Sequence, residues 1–75
     1  MERRPVTSSN VASIGWEPLE RDAAVGTLEV EFHSGHVYSY EDVPESEYQR
    51  LVGAGSVGRY FNAFISGQFT ESRIK

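Results

Sequence analysis

The clearest feature of the sequence is the alternation of apolar and polar residues in segment 27–32 (TLEVEF). Leu28, Val30 and Phe32 occupy alternate positions, and a threonine and two glutamates occupy the others. Successive side chains of a strand point to opposite faces of a sheet, so this pattern predicts a strand with one apolar face.

Two other segments fit the same period. In residues 11–17 (VASIGWE), Ala12, Ile14 and Trp16 share a mainly apolar face, which predicts a first strand. Residues 36–41 follow the central strand after a short turn and are predicted to be its hairpin partner. The three segments together predict an antiparallel meander.

The period changes to that of a helix after residue 42. Pro44 is placed at the first helical position, and two glutamates follow in the first turn, which favours a helix start. Tyr48, Leu51 and Val52 then form an apolar stripe at i, i+3 and i+4 spacing. We therefore expect a first short helix that ends at the glycines of residues 53–55.

A second helix is predicted after Ser56, which is a favourable N-cap residue. Its apolar stripe comprises Val57, Tyr60, Phe61, Phe64 and Ile65. Gly67 is the expected left-handed residue at its end. The predicted fold is α+β, with a three-stranded antiparallel meander followed by two short helices (β-β-β-α-α) that pack on one face.

The length of 75 residues allows one domain. We expect it to span residues 8–69, with a flexible N-terminus at residues 1–7 and a C-terminal tail at residues 70–75. The chain has no cysteine, so disulfides do not stabilise it, and two histidines without a thiolate do not suit a structural zinc site. Its core therefore depends on four phenylalanines, four tyrosines and one tryptophan.

The charge balance limits the classes of partner. Eleven acidic residues against seven basic residues give a net charge of −4. A protein that binds duplex DNA through its phosphates is normally basic, so this balance argues against strong nonspecific nucleic-acid binding.

No apolar run approaches the roughly 18 residues of a membrane span, and the first residues lack the apolar stretch of a signal peptide. We expect a cytoplasmic protein without a membrane partner.

Tyr38 and Tyr40 lie two residues apart just after the hairpin turn, so on a strand they share a face. A two-residue loop at residues 34–35 would place both tyrosines on the face that carries the glutamates, where their rings are free to stack on bases. That loop needs positive φ at both of its residues, which serine adopts poorly.

A three-residue loop that ends at Gly35 needs positive φ only at the glycine. It pairs Val30 with Tyr38 and Leu28 with Tyr40, and it places both tyrosines on the apolar face. A shift of one residue turns a whole strand over, so the two registers exclude each other. We expect the second register, in which the tyrosines belong to the core more than to a stacking platform.

Few motifs indicate chemistry. Residues 53–58 (GAGSVG) match the glycine spacing of dinucleotide-binding loops, but they follow a predicted helix and not a strand, so they predict a helix–helix turn. The amides at the start of the second helix, with Arg59, are placed to hold an anion such as a phosphate.

His33 and His36 flank the hairpin turn as solvated residues, and we expect neither a metal nor a cofactor. The sequence shows no pattern of serine, histidine and acidic residues that is typical of a catalytic triad, so we predict no catalytic site.

Taken together, these motifs resemble the KTSC domain. The residues that carry the resemblance are Ser8-Ser9, Ile14, Trp16, LEVEFHSGHVYSY (residues 28–40), Val43-Pro44, Ala54, Ser56, Gly58, Tyr60-Phe61-Asn62 and Ile65. The family is named for its occurrence at the C-terminus of some lysyl-tRNA synthetases, and it also occurs as small stand-alone proteins of bacteria and phages. Its named feature is the Y-x-Y motif, here residues 38–40. The resemblance implies a small binding module for which RNA is the suggested ligand.

Two functions remain open at this point. The first is RNA or tRNA binding, for which limited charge suffices when stacking and hydrogen bonds contribute. Its expected surface is a polar cluster of Ser8, Ser9, Ser56, Gly58, Arg59 and Asn62. The second is protein binding, as an adaptor or a homodimer in a bacterium or its phage, through the open face of the sheet or an edge strand. The acidic charge favours a protein partner.

Overall fold

The computed structural model describes residues 1–75 and contains one antiparallel sheet and two short helical segments. The strands are β1 (Arg4–Pro5), β2 (Val11–Pro18), β3 (Val25–Phe32), β4 (Val37–Pro44) and β5 (Glu71–Arg73), and they lie side by side in chain order. The helices are α1 (Glu45–Val52) and α2 (Val57–Tyr60), and α2 continues directly into a π-helical turn (Phe61–Ile65). The α+β class is confirmed.

The predicted number of strands is wrong. The three predicted strands correspond to β2, β3 and β4, but β1 also pairs with β2, and β5 pairs with β4. Segments of two and three residues are too short to show an alternating pattern. They become strands because β2 and β4 each offer an edge of unpaired backbone groups. Parts of both predicted terminal segments therefore belong to the sheet.

The register of the central hairpin is confirmed. Val30 pairs with Tyr38, and Leu28 pairs with Tyr40. The Gly35 amide donates to the carbonyl oxygen of Phe32 at 2.9 Å, which closes a three-residue loop. The φ angle of Gly35 is +96°, so the glycine alone carries the left-handed conformation that the turn needs.

Two bulges bring additional residues into the core. The register shifts in β2 between Val11 and Ser13, so Val11 lies in the core with Ile14 and not on the opposite face as the strict alternation predicts. A second shift lies in the β3–β4 pairing, where Asp42 has a φ of +58°. Aspartate tolerates this conformation better than most residues. This bulge carries β4 three residues beyond its predicted end, and α1 begins one residue later than predicted.

The core lies between the sheet and the helices. Its buried residues are Val11, Ile14, Leu28, Val30, Tyr40, Val43, Leu51, Val57, Phe61 and Ile65. Trp16 packs against this core as predicted, donates its indole N–H to the Val43 carbonyl oxygen at 2.9 Å, and stacks on Tyr48. Burying the indole is tolerable because its polar atom is satisfied.

The second helix differs from its predicted apolar stripe. The Ser66 amide donates to the Phe61 carbonyl oxygen at 2.9 Å, which is the i to i−5 bond of a π-helical turn. The wider turn changes the angular position of each residue. Phe61 and Ile65 are buried, whereas Phe64, which the sequence pattern assigns to the stripe, is 54% exposed. Gly67 has the expected positive φ, of +77°.

Neither helix has the length and hydropathy needed to cross a bilayer.

Candidate functional site

The six residues of the predicted polar cluster line one cleft. This polar cleft has a volume of about 310 Å³ and lies between the loop before β2 and the start of α2. All six cluster residues line it, together with Thr7, Asn10, Gly55 and Val57. Residues almost fifty positions apart in sequence therefore contribute hydrogen-bonding groups to one surface.

The loop before β2 is held in place by hydrogen bonds. The Ser8 hydroxyl oxygen accepts from the backbone amides of Asn10 and Val11, at 3.3 and 3.2 Å. The Ser8 carbonyl oxygen contacts Nε2 of His33 at 2.9 Å, and the His33 amide donates to the Asn10 carbonyl oxygen, also at 2.9 Å. Ser8 therefore orders the loop, whereas the exposed Ser9 and Asn10 present their side chains to the cleft.

The opposite wall of the cleft is the start of α2. The Ser56 hydroxyl oxygen accepts from the Arg59 amide at 3.4 Å, so Ser56 is the N-cap that the sequence predicts. A Cβ on Gly58 would lie 3.6 Å from the Ser8 hydroxyl oxygen, so the helix and the loop approach closely there. Arg59 is exposed and forms no salt bridge, which leaves its guanidinium free for a ligand.

A second depression adjoins the polar cleft. This aromatic groove has a volume of about 450 Å³ and shares Ser9, Asn10, Gly58 and Asn62 with the cleft. Its apolar lining is Val11, Phe32, Tyr38 and Phe61, and its other polar lining is His33, Ser34 and His36. A planar apolar ligand that carries hydrogen-bonding groups matches this lining.

Sequence reasoning missed the aromatic groove. The predicted meander contained a signal for the groove, because it places the start of β2 beside the β3–β4 turn. In the structure, Val11 pairs with Phe32 at this position. In an antiparallel meander these two regions lie at the same end of the sheet. The part played by Phe61 depends on how the helix packs, which the sequence pattern does not specify.

The two tyrosines of the Y-x-Y motif have different environments. Tyr40 is 2% exposed and packs edge-to-face on Phe61, with ring centroids 5.7 Å apart, so it has no face to offer a ligand. Tyr38 is half-buried, packs edge-to-face on Phe32 at 5.9 Å, and lines the aromatic groove. Of the pair, only Tyr38 is positioned to touch a ligand.

The burial of Tyr40 predicts a loss of stability in alkaline solution. Burial raises the pKa of Tyr40 far above its ordinary value, and the charge of Glu71 and the neighbouring Tyr38 raise it further. Above a pH of about 10 the unfolded chain releases this proton while the folded chain keeps it, so the free energy of unfolding falls as the pH rises. Urea titrations at pH 9 and pH 11 measure this decrease in the free energy of unfolding. The decrease should be smaller in Tyr40→Phe.

Tyr60 contributes to the same pH dependence. Partial burial and the hydrogen bond that its hydroxyl donates to Glu47 raise its pKa. Tyr60→Phe is therefore a matched control, since it removes a tyrosine hydroxyl near the surface. It should reduce the loss of stability at alkaline pH less than Tyr40→Phe does. Equal alkaline losses in the wild type and in Tyr40→Phe would contradict the assignment.

The remaining motifs have structural positions. Residues 53–56 connect α1 to α2, residues 57–58 begin α2, and the segment does not follow a strand, as expected for a helix–helix turn. His33 and His36 are exposed and belong to the rim of the aromatic groove. No group of three or more histidine, cysteine, aspartate or glutamate side chains is close enough together to hold a metal ion.

Comparison with known proteins relates this chain to one family. The model of the KTSC domain family matches residues 7–69. A crystal structure of a KTSC domain protein from Yersinia pestis is 38% identical and superimposes with a TM-score of 0.87, over 99% of this chain and 97% of that one. An uncharacterized protein of Stutzerimonas stutzeri is 41% identical over 68 residues, which cover 91% of this chain and 89% of that protein.

The chain is also similar to part of a much larger enzyme. A lysine–tRNA ligase of Nostoc punctiforme is 51% identical over 43 residues, which are 57% of this chain but only 8% of the ligase. A ligase of a second Nostoc strain is 49% identical over 48 residues, or 9% of its length. The similarity therefore concerns a small module of these ligases.

Proposed function

This chain belongs to the KTSC domain family, and we propose that it is a non-catalytic module that binds single-stranded RNA at the polar cleft and the adjoining aromatic groove. The observation that carries the proposal is the continuity of the two depressions. A free arginine lies beside the first, and aromatic rings line the second.

The two parts of the site suit different parts of a nucleotide. Arg59 supplies a cation for a phosphate, and its planar guanidinium is well suited to this anion. The side chains of Asn10 and Asn62 offer both donors and acceptors to the edge of a base. Phe32 and Tyr38 provide the apolar contact that an unstacked base needs.

The acidic charge of the chain limits the mode of binding. With a net charge of −4, affinity must come mainly from stacking and hydrogen bonds, because few phosphates are neutralised. If Arg59 makes the one phosphate contact, the logarithm of affinity falls with the logarithm of salt concentration with a slope of about −0.7. A duplex does not splay out its bases, so it should bind more weakly than a single strand.

The relatives suggest tRNA as the RNA to test first. The relatives from the two Nostoc strains are lysine–tRNA ligases, and their names state what they act on. The single-stranded loops and the 3′ end of a tRNA supply unpaired bases of the kind that the aromatic groove fits. A tRNA and a short single-stranded oligonucleotide are therefore both appropriate probes.

Arg59→Ala is expected to weaken RNA binding about tenfold, the effect of losing one charge-assisted hydrogen bond of roughly 1.4 kcal/mol. The salt dependence should decrease in the same variant, because the cation that displaces counterions is gone. Fluorescence anisotropy with a labelled oligonucleotide and a labelled tRNA measures both quantities. Stability should be unchanged because Arg59 is exposed.

The matched control is Arg21→Ala. Arg21 is exposed and lies in the β2–β3 connection, at the other end of the sheet from the polar cleft. It carries the same charge, so it accounts for the general electrostatic effect. RNA binding that is absent at low salt, or that both substitutions weaken equally, would refute the proposal.

A further inference from the structure

The strand β5 forms one edge of the sheet, and its outer side has no partner strand. It pairs with β4 through Arg73 opposite Tyr38, Ser72 opposite Ser39, and Glu71 opposite Tyr40. All three residues of β5 are exposed. Such an edge presents unpaired backbone groups that another strand is able to join.

The hydrogen bonds to β4 show which backbone groups are unpaired. The Thr70 carbonyl oxygen accepts from an amide of β4, and the Ile74 amide donates to a carbonyl oxygen of β4, both at 2.9 Å. Backbone groups alternate in direction along an antiparallel strand, so Ser72 faces β4 as Thr70 and Ile74 do, and the alternation ends at Lys75, which also bonds to Val37. The N–H and C=O groups of Glu71 and Arg73 therefore point outward.

The sequence of this edge is complementary to itself. When two copies of β5 run antiparallel with Ser72 opposite the partner's Ser72, Glu71 of each chain lies opposite the partner's Arg73. These are the residues whose backbone groups point outward, so each such pair forms two backbone hydrogen bonds and one pair of opposite charges. Neither Glu71 nor Arg73 has a salt bridge within its own chain.

We propose that this chain forms a symmetric homodimer through β5, in which the two sheets join into one sheet of ten strands. A two-fold axis through the Ser72 pair makes the interface isologous, as is usual in dimers. The same register places Ile74, which is 53% exposed, opposite the partner's Thr70, whose methyl group lies beside the isoleucine. The edge lies after the residues that the family model matches.

The charge pattern favours a second copy over another strand. In the antiparallel pairing centred on Ser72, the order glutamate, serine, arginine forms two opposite-charge pairs with itself. A shift of one residue would lose both charge pairs, so the pattern also specifies the register. This proposal does not depend on RNA binding, because no residue of β5 lines the polar cleft or the aromatic groove.

Sedimentation velocity from micromolar to millimolar concentration tests the dimer. The wild type should show a concentration-dependent equilibrium between monomer and dimer. Glu71→Arg and Arg73→Glu each place like charges opposite each other in both pairs, and each should raise the dissociation constant at least about tenfold. Glu20→Arg, a charge reversal in the exposed β2–β3 connection, is the control and should leave the constant unchanged.

Two further measurements distinguish a lost interface from a damaged fold. An equimolar mixture of Glu71→Arg with Arg73→Glu should form a heterodimer, because each arginine of one chain then lies opposite a glutamate of the other. The double variant E71R/R73E should regain the homodimer. A wild type that stays monomeric throughout, single variants that associate like the wild type, or a mixture that does not associate would each overturn the proposal.

Discussion

Phe61→Ala is expected to lower the free energy of unfolding by about 3–5 kcal/mol, the usual cost of removing a buried phenylalanine. The side chain is 7% exposed, and its ring packs edge-to-face on Phe32 and Tyr40, with centroids 5.4 and 5.7 Å away. The substitution therefore removes apolar contact from the sheet and from the helix together. A domain of this length has a total stability of roughly 4–11 kcal/mol, so the variant should retain little of it.

Phe64→Ala is the matched control for this prediction. Phe64 lies three residues further along the same π-helical turn, but it is 54% exposed. Its removal should cost less than about 1 kcal/mol, mainly through the loss of its contact with Tyr60. Urea titrations followed by Trp16 fluorescence measure both variants. Equal losses would mean that the helix is packed as the unbroken apolar stripe predicts.

Gly26→Ala is expected to be nearly as damaging, with a cost of about 3 kcal/mol. A Cβ at this position would lie 2.1 Å from the Glu17 carbonyl oxygen and 2.8 Å from the Cα of Pro18. Both obstacles are backbone atoms of β2, so no side-chain rotation relieves the overlap. The strands must separate locally, beside the bulge that brings Val43 into the core.

The control for Gly26→Ala is Gly55→Ala. A Cβ on Gly55 meets no atom within 4 Å, and the residue does not have a positive φ. The free energy of unfolding should change by no more than about 0.5 kcal/mol. Thermal and urea unfolding of the two variants measure the difference. If Gly26→Ala is as stable as Gly55→Ala, the close approach of β2 and β3 is wrong.

The hairpin shows what local sequence determines. The choice between two registers depended on whether Ser34 or only Gly35 adopts positive φ, and the structure has the three-residue loop. The bulges at Ala12 and Asp42 were not predictable in this way. They bring residues three apart onto one face, a spacing that also fits a helix.

The candidate site was predictable in part. Most members of the polar cluster come from the family resemblance, Arg59 comes from its place at the start of the second helix, and the structure brings all of them to one cleft. The aromatic groove beside it was not predicted, since it forms where three separate segments meet: the start of β2, the hairpin turn and the π-helical turn. A pattern within one segment does not contain that information. The edge strand β5 was not predicted for a related reason. Its pairing is determined by β4 and not by a pattern within its own residues.

The position of β5 has a consequence for the order in which the domain folds. The meander of β2, β3 and β4 requires only short loop closures, whereas β5 reaches β4 after residues 45–70, which contain both helices. Closing the longer loop costs more chain entropy, so this pairing forms late. Residues 55–62, which contribute to both depressions, lie within that loop. No residue of β5 lines either depression, so the candidate site is complete once the helical residues pack on the meander, before β5 pairs with β4.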